Sequence, residues 1–134
     1  MNPIEFLKSI YLGDRFCTKI VVDGLNNSFE FHVNRISRIR DVSGEWNYYT
    51  DEDIENGVIV ITGVKKIIFD GSGLMPNDQI YDIYANKLDN STYEFTFETS
   101  YVDHKATTYD ITIKVIGEDV YILDPSKPDV KISE

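Results

Sequence analysis

The sequence predicts a mainly β protein, built as an antiparallel β-sandwich or an open barrel with a short N-terminal helix. The clearest evidence is residues 91–116, where apolar and polar side chains alternate on both sides of a polar loop at 103–106. A period of two is typical of a hairpin with one buried face. Turns rich in Gly, Asn and Asp separate further runs and give about eight or nine strands, as in sandwiches and barrels.

Size and composition indicate one domain that spans residues 1–134. The chain has 134 residues, of which 42% are hydrophobic, and a chain of this size can bury about two thirds of its unfolded surface. A core can therefore form without a metal or a disulfide. The single cysteine, Cys17, precedes the apolar run at 20–22 and is predicted to be a buried, inert thiol.

The N-terminal segment, residues 1–13, is predicted to be helical over residues 2–12. Asn2 can cap the helix, Pro3 suits its first position, and Gly13 can end it. Apolar side chains at helical spacing form one face. Because so short a helix is marginal alone, that face should dock on the sheet.

The rest of the chain is predicted to form strands and turns. Besides the central hairpin, the predicted strands are residues 17–22, 29–33, 58–62, 65–70, 79–88 and 120–123. Residues 50–57 are predicted to form one helical turn, with Thr50 as its cap. The last ten residues, 125–134, contain two prolines and several charges and are predicted to fray.

The charge of the chain indicates which partners it can bind. The net charge is −10, and all of it lies in residues 51–134, because residues 1–50 hold six basic and six acidic side chains. An acidic surface repels nucleic acid and anionic membranes and favours a basic protein partner. The alternative interpretation is that the acidity only keeps the protein soluble.

The location expected for this chain is the cytoplasm. Its N-terminus lacks a basic segment followed by an apolar run, and no apolar stretch approaches the length of a membrane span.

One segment has the spacing of a metal site. Asp51, Asp53 and Glu55 stand at positions one, three and five of an EF-hand loop, but positions six and twelve hold Asn56 and Thr62 instead of glycine and glutamate. The pattern therefore fails, and no metal or other cofactor is predicted.

Catalytic motifs are also missing from the sequence. The two histidines, His32 and His104, lie on a strand and in a hairpin loop, where exposed histidines without a special role are expected. No nucleophile elbow or phosphate-binding glycine loop occurs. The sequence therefore predicts a binding protein and not an enzyme.

Two groups of aromatic and acidic residues are candidate partner-binding surfaces, because a buried ring can anchor an interface while charges steer the encounter. In the first group, Trp46, Tyr48 and Tyr49 precede an acidic turn; the alternative is that Trp46 and Tyr48 face the core. The second group places Asp78 and Asp82 beside Tyr81 and Tyr84. The residues predicted to bind the partner are Trp46, Tyr49, Asp51, Glu52, Asp53, Asp78 and Asp82.

Four segments carry a family resemblance. Residues 1–8, 11–15, 49–54 and 75–80 resemble a family of small bacterial proteins of uncharacterised function. This resemblance spans most of the chain and implies no catalytic residues. The small, acidic and motif-free chain is also similar in style to immunity proteins, which neutralise toxin domains of neighbouring or sister bacteria.

These observations lead to one principal hypothesis and two alternatives. The principal hypothesis is an immunity-type inhibitor that occludes the cationic active site of a basic toxin domain. The first alternative is a small-molecule-binding barrel or enzyme with a ligand in the sheet interior, near Tyr93, Phe97 and Tyr109, with His32 or Asp110 pointing inward. The second alternative is assembly through an exposed sheet edge.

Overall fold

The computed structural model describes residues 1–39 and 53–134, which form one short helix and three antiparallel sheets. The mainly β prediction is therefore confirmed. The elements in chain order are α1 (Pro3–Lys8), β1 (Ile10–Tyr11), β2 (Cys17–Asp23), β3 (Ser28–Val33), β4 (Arg35–Arg38), β5 (Asp53–Glu55), β6 (Val58–Thr62), β7 (Lys66–Phe69), β8 (Ile80–Lys87), β9 (Tyr93–Val102), β10 (Thr108–Gly117), β11 (Asp119–Leu123) and β12 (Lys131–Ile132).

Two of the sheets pack face to face as a sandwich. One has the strand order β12-β11-β6-β3-β2, and the other has the order β7-β10-β9-β8. Phe97 of β9 lies against Phe29 and Phe31 of β3, with ring centroids 5.5 and 4.5 Å apart, and all three side chains are fully buried. The described strands do not close into a barrel.

The central hairpin is confirmed. Strands β9 and β10 pair over ten residues each, from Thr108 opposite Val102 to Gly117 opposite Tyr93. Alternation assigns Phe95 and Phe97 to the buried inner face, where they are fully buried. The polar side chains between them therefore form the outer face of the four-stranded sheet.

The N-terminal helix is shorter than predicted. Asn2 caps it as expected, because its Oδ1 accepts the Glu5 N–H at 2.9 Å, but the helix ends at Lys8. Ile10 and Tyr11 leave the helix and pair with β4 as strand β1. A short helix gains little from its own hydrogen bonds, so strand pairing determines the conformation of these two residues.

The third sheet, with the order β1-β4-β5, corrects the predicted helical turn at 50–57. Residues Asp53–Glu55 form strand β5, in which Ile54 stands opposite Ile36 of β4. Both isoleucines are buried, and the backbone at Ile54 is an extended strand instead of the predicted helical turn. The beginning of the predicted turn, including Thr50, lies outside the described residues.

The C-terminal segment also differs from the prediction. Within residues 125–134, which were expected to fray, Lys131–Ile132 form β12 and pair with the end of β11. Most of the other residues in this segment are exposed.

Candidate functional site

Most of the first predicted surface lies outside the described residues. This applies to Trp46, Tyr49, Asp51 and Glu52. Asp53 belongs to β5, where its Oδ2 accepts a hydrogen bond from Arg35 Nη1 at 2.6 Å. Its Oδ1 accepts from the Ser37 hydroxyl at 2.7 Å. Both oxygens of Asp53 thus hold β4 and β5 together, and a role in partner binding stays a prediction.

The second predicted surface is brought together by the four-stranded sheet. Asp82 of β8 stands directly opposite Glu98 of β9. Asp78, two residues before β8, accepts a hydrogen bond from the Ser100 hydroxyl at 3.0 Å. Because Ser100 and Glu98 are two residues apart on one strand, they share a face of the sheet. Asp78 and Asp82 therefore both lie beside outer-face residues of β9.

Two further acidic residues join this surface, and the sequence reasoning did not place either of them there. Glu98 stands between Asp82 of β8 and Thr112 of β10, and Asp110 of β10 stands opposite Ser100. Asp82 and Asp110 are exposed, and Asp78 and Glu98 are half-buried. We call this group the acidic face. Its residues are Asp78, Asp82, Glu98 and Asp110.

The register forces like charges together on the acidic face. Side chains directly opposite each other in an antiparallel pair have Cβ atoms about 5 Å apart, and like charges in such positions are destabilising. Asp82 and Glu98 occupy such positions. Asp110 lies on the diagonal from Glu98, at roughly 7–8 Å.

No described lysine or arginine forms an ion pair with these carboxylates. Within residues 1–39 and 53–134, no Lys or Arg nitrogen lies within 4.0 Å of a carboxylate oxygen of the acidic face. Lys114 of β10 instead pairs with Glu94, at 3.5 Å. The four carboxylates therefore form no ion pair with a described lysine or arginine, although Lys114, opposite Thr96, lies on the diagonal from Glu98.

Two tyrosines flank the acidic face. Tyr81 lies at a bulge between Ile80 and Asp82 and is 48% exposed. The Tyr84 hydroxyl donates to Glu98 Oε1 at 3.1 Å. Desolvation raises the pKa of Tyr84, and the hydrogen bond to Glu98 and the Glu98 charge raise it further, so the phenol stays protonated near neutral pH.

A cavity of about 270 Å³ opens between Tyr81 and the strand β10. Its polar lining includes Glu98, Asp110 and Thr112. An ammonium or guanidinium group entering this cavity would meet two carboxylates and an exposed aromatic ring, which are the groups that bind such cations.

The other chemistry-bearing side chains are not assembled into a site. Among the described residues, no three His, Cys, Asp or Glu side chains are placed to hold a metal ion. His32 Nε2 lies 3.1 Å from Glu30 Oε1 on β3, while His104 is exposed in the loop after β9. Cys17 is buried, and desolvation raises its pKa to about 11, which agrees with the prediction of an inert thiol.

The predicted ligand site in the sheet interior is not formed around Phe97. The Phe29 and Phe31 rings fill the space beside Phe97. Asp110 lies on the outer face, and Tyr109 is 43% exposed. A cavity with a mostly apolar lining lies instead at Ile111 and Ile113, beside the loop that connects β7 to β8.

No described helix has the length and apolar character needed to cross a bilayer.

Comparison with known proteins identifies a family but no characterised relative. Neither the curated proteins nor the solved structures contain a match to this chain. The model of a family described as "Family of unknown function (DUF6258)" matches residues 1–134. The resemblance to an uncharacterised family is thereby confirmed, and the chain belongs to that family of unknown function.

Proposed function

We propose that this protein is a protein-binding domain whose acidic face captures a basic protein, and that it acts in the cytoplasm as an immunity-type inhibitor of a basic toxin domain. The observation that carries the proposal is the group Asp82, Glu98 and Asp110 on one face of the sheet, none of which forms an ion pair with a described lysine or arginine. An exposed tyrosine, Tyr81, stands beside it. This combination offers charge for steering and a ring for anchoring.

The mechanism is occlusion. The negative potential of residues 51–134 attracts the cationic active site of the toxin and raises the rate of encounter. A lysine or arginine then enters the cavity beside Tyr81 and bonds to Glu98 and Asp110. The bound cation also offsets the repulsion between Asp82 and Glu98, so binding relieves an unfavourable interaction of the free protein.

Other uses of an acidic sheet face fit the observations less well. Nucleic acid is excluded as a partner of this face, because its phosphates would meet the carboxylates of the acidic face. Solubility alone requires negative charge but not its placement in directly opposed positions, where charges of one sign lower stability.

The proposal is tested by affinity capture of a partner from the native cell at low and high salt. The binding-face variant carries Asp82→Asn, Glu98→Gln and Asp110→Asn. The matched control carries Glu55→Gln, Glu118→Gln and Asp129→Asn, which change three exposed carboxylates away from the acidic face and alter the net charge equally.

We expect the wild type and the control to retain a basic protein at low salt and release it at high salt, and the binding-face variant to retain much less. Coexpression should then protect cells from the captured protein if it is a toxin. Equal capture by the two variants would show that net charge, and not the acidic face, binds the partner.

A further inference from the structure

The loop that connects β7 to β8, residues 70–79, crosses the four-stranded sheet as a strap. Strands β7 and β8 are the two outer strands of that sheet, with β10 and β9 between them. The loop must therefore pass over the sheet or around its end. We call residues 70–79 the strap.

The strap is fastened at both ends. At its beginning, Asp70 Oδ2 accepts the Thr112 N–H of β10 at 3.0 Å. At its end, the Asn77 side chain pairs with Val102 of β9 as a peptide group would: Oδ1 accepts the Val102 N–H at 2.9 Å and Nδ2 donates to the Val102 carbonyl at 3.2 Å. The Asn77 N–H also donates to the Ser100 carbonyl at 3.2 Å.

The middle of the strap, residues 73–76, is held far more loosely. In the described structure its only hydrogen bond runs from the Leu74 N–H to the Ser72 hydroxyl, at 3.3 Å. Pro76 has no N–H to donate. Met75 is 76% exposed. Fixed ends and a sparsely bonded middle are the features of a segment that can lift without loss of the fold.

This middle segment lines two cavities. One has a volume of about 290 Å³ and is lined almost entirely by apolar side chains; they are Ile20, Phe69, Leu74, Met75, Pro76, Ile111 and Ile113. The other is a groove of about 540 Å³, lined by Phe16, Cys17, Tyr101 and the same strap residues.

The lining of the smaller cavity specifies an apolar ligand. Its one charged side chain, Asp70, is already bonded to Thr112 and Ser72. The hydrogen bond from the Ser72 hydroxyl lowers the pKa of Asp70. A polar ligand would lose its water without gaining partners among these side chains. A hydrocarbon chain has no such cost and gains from burial.

The size of the cavity limits the ligand. An apolar protein cavity of about 150 Å³ holds benzene, so one of about 290 Å³ would hold on the order of ten carbon atoms on the same scale. Two of the large apolar side chains that line it, Phe69 and Met75, remain exposed. Methionine adapts its shape to varied apolar ligands.

We propose that the strap and the cavity beneath it form a binding site for a medium-chain hydrocarbon group, such as an alkyl or acyl chain. Leu74 and Pro76 cover the chain, Ile111 and Ile113 form the floor, and Met75 closes the mouth. Ile111 and Ile113 belong to the inner face of the four-stranded sheet, whereas Asp82, Glu98 and Asp110 belong to its outer face. The proposal does not depend on the proposed inhibitor function.

The first test uses a neutral solvatochromic dye, Prodan, displaced by a series of alcohols from 1-hexanol to 1-tetradecanol. We expect saturable binding with about one site, and an affinity that rises with chain length to about ten to twelve carbons and then levels off. No saturable displacement by 1-decanol, or an affinity that keeps rising with chain length, would overturn the proposal.

A pair of variants locates the site. Met75→Glu places a charge at the mouth and should weaken 1-decanol binding at least tenfold. Leu25→Glu is the matched control, because Leu25 is 91% exposed in the turn after β2, and should leave the affinity within twofold. Equal affinities in the two variants would contradict the assignment.

Methyl NMR of the wild type gives a result that does not depend on any variant. Bound 1-decanol should shift the methyl signals of Leu74, Ile111 and Ile113. The signal of Ile122, which is buried in β11 of the other sheet, should stay in place. Shifts centred on Ile122 or spread over the whole core would refute the site.

Discussion

Removing one charge from the directly opposed pair on the acidic face should stabilise the free protein. Asp82 and Glu98 stand opposite each other, and side chains in such positions have Cβ atoms about 5 Å apart. Two unit charges about 6 Å apart repel by about 0.7 kcal/mol in a water-like dielectric and more where solvent is excluded. Because Asp82 is exposed, the lower figure applies.

We therefore expect Asp82→Asn to raise the free energy of unfolding by about 0.5 kcal/mol, within the range known for cross-strand pairs. For a chain of this length this corresponds to an increase in Tm of roughly 2 °C. Urea unfolding at low ionic strength measures it, and added salt should reduce the difference.

A double-mutant cycle tests the cause. Glu98→Gln keeps an oxygen that can accept the Tyr84 hydroxyl and removes the charge. In the Glu98→Gln background, Asp82→Asn should no longer stabilise, because the repulsion has already gone. If Asp82→Asn destabilises the protein, or if its effect is the same in both backgrounds, the pair is not a source of strain and the argument for the acidic face fails.

Three further predictions follow from single residues. Asp89 accepts hydrogen bonds from the Thr92 side chain and from the N–H groups of Ser91 and Thr92. These bonds lower the pKa of Asp89 from 3.8 to about 2. The stability that the charged carboxylate provides is complete above about pH 4 and is lost as the pH falls toward 2. Urea unfolding between pH 5 and 2 should therefore show the wild type losing stability relative to Asp89→Asn, and parallel curves would contradict it. Burial raises the pKa of Cys17 from 9.0 to about 11. Because only the thiolate reacts, the folded protein should react with iodoacetamide at pH 8 about 100-fold more slowly than the urea-unfolded chain. Equal rates would show that the thiol is accessible. Phe97→Ala should lower the free energy of unfolding by about 3–5 kcal/mol, the usual cost of emptying a buried phenylalanine site, and a loss below 1 kcal/mol in urea unfolding would show that the two sheets do not depend on this contact.

The central hairpin could be predicted because one strict alternation fixes both its backbone and its buried face. A shift of one residue would turn Phe95 and Phe97 to solvent, so the register has one favourable solution. Strands β1 and β5 could not be predicted in the same way. The apolar residues Ile10 and Ile54 suit a helix or a strand equally, and pairing with β4, which is distant along the chain from β5, decides between them.

Only two of the four residues of the acidic face were predicted from the sequence to lie on one surface. Asp78 and Asp82 are close along the chain, but Glu98 and Asp110 join them through the pairing of three strands. The alternation of polar residues in the hairpin was enough to predict that Asp110 lies beside Ser100, because the loop at 103–107 sets the register of the two strands. The pairing of β8 with β9 was the missing information.

The cavity under the strap could not be predicted from residue patterns. Residues 73–76 contain a glycine and a proline, which predict a loop and do not indicate a cavity. The space beneath this segment depends on how closely the loop approaches the sheet between its two hydrogen-bonded ends. That distance is set by how side chains pack in the folded protein.

The most direct test of the central claim is the affinity of the protein for a cationic probe, deca-lysine, measured by calorimetry at low ionic strength. Three carboxylates that each contribute about 0.5 kcal/mol to an exposed ion pair give about a tenfold change in Kd. We predict that the variant Asp82→Asn, Glu98→Gln, Asp110→Asn binds deca-lysine about tenfold more weakly than the wild type, and that the control Glu55→Gln, Glu118→Gln, Asp129→Asn changes Kd less than threefold. If the two variants bind equally, negative charge acts without regard to position, and the acidic face is not a binding site.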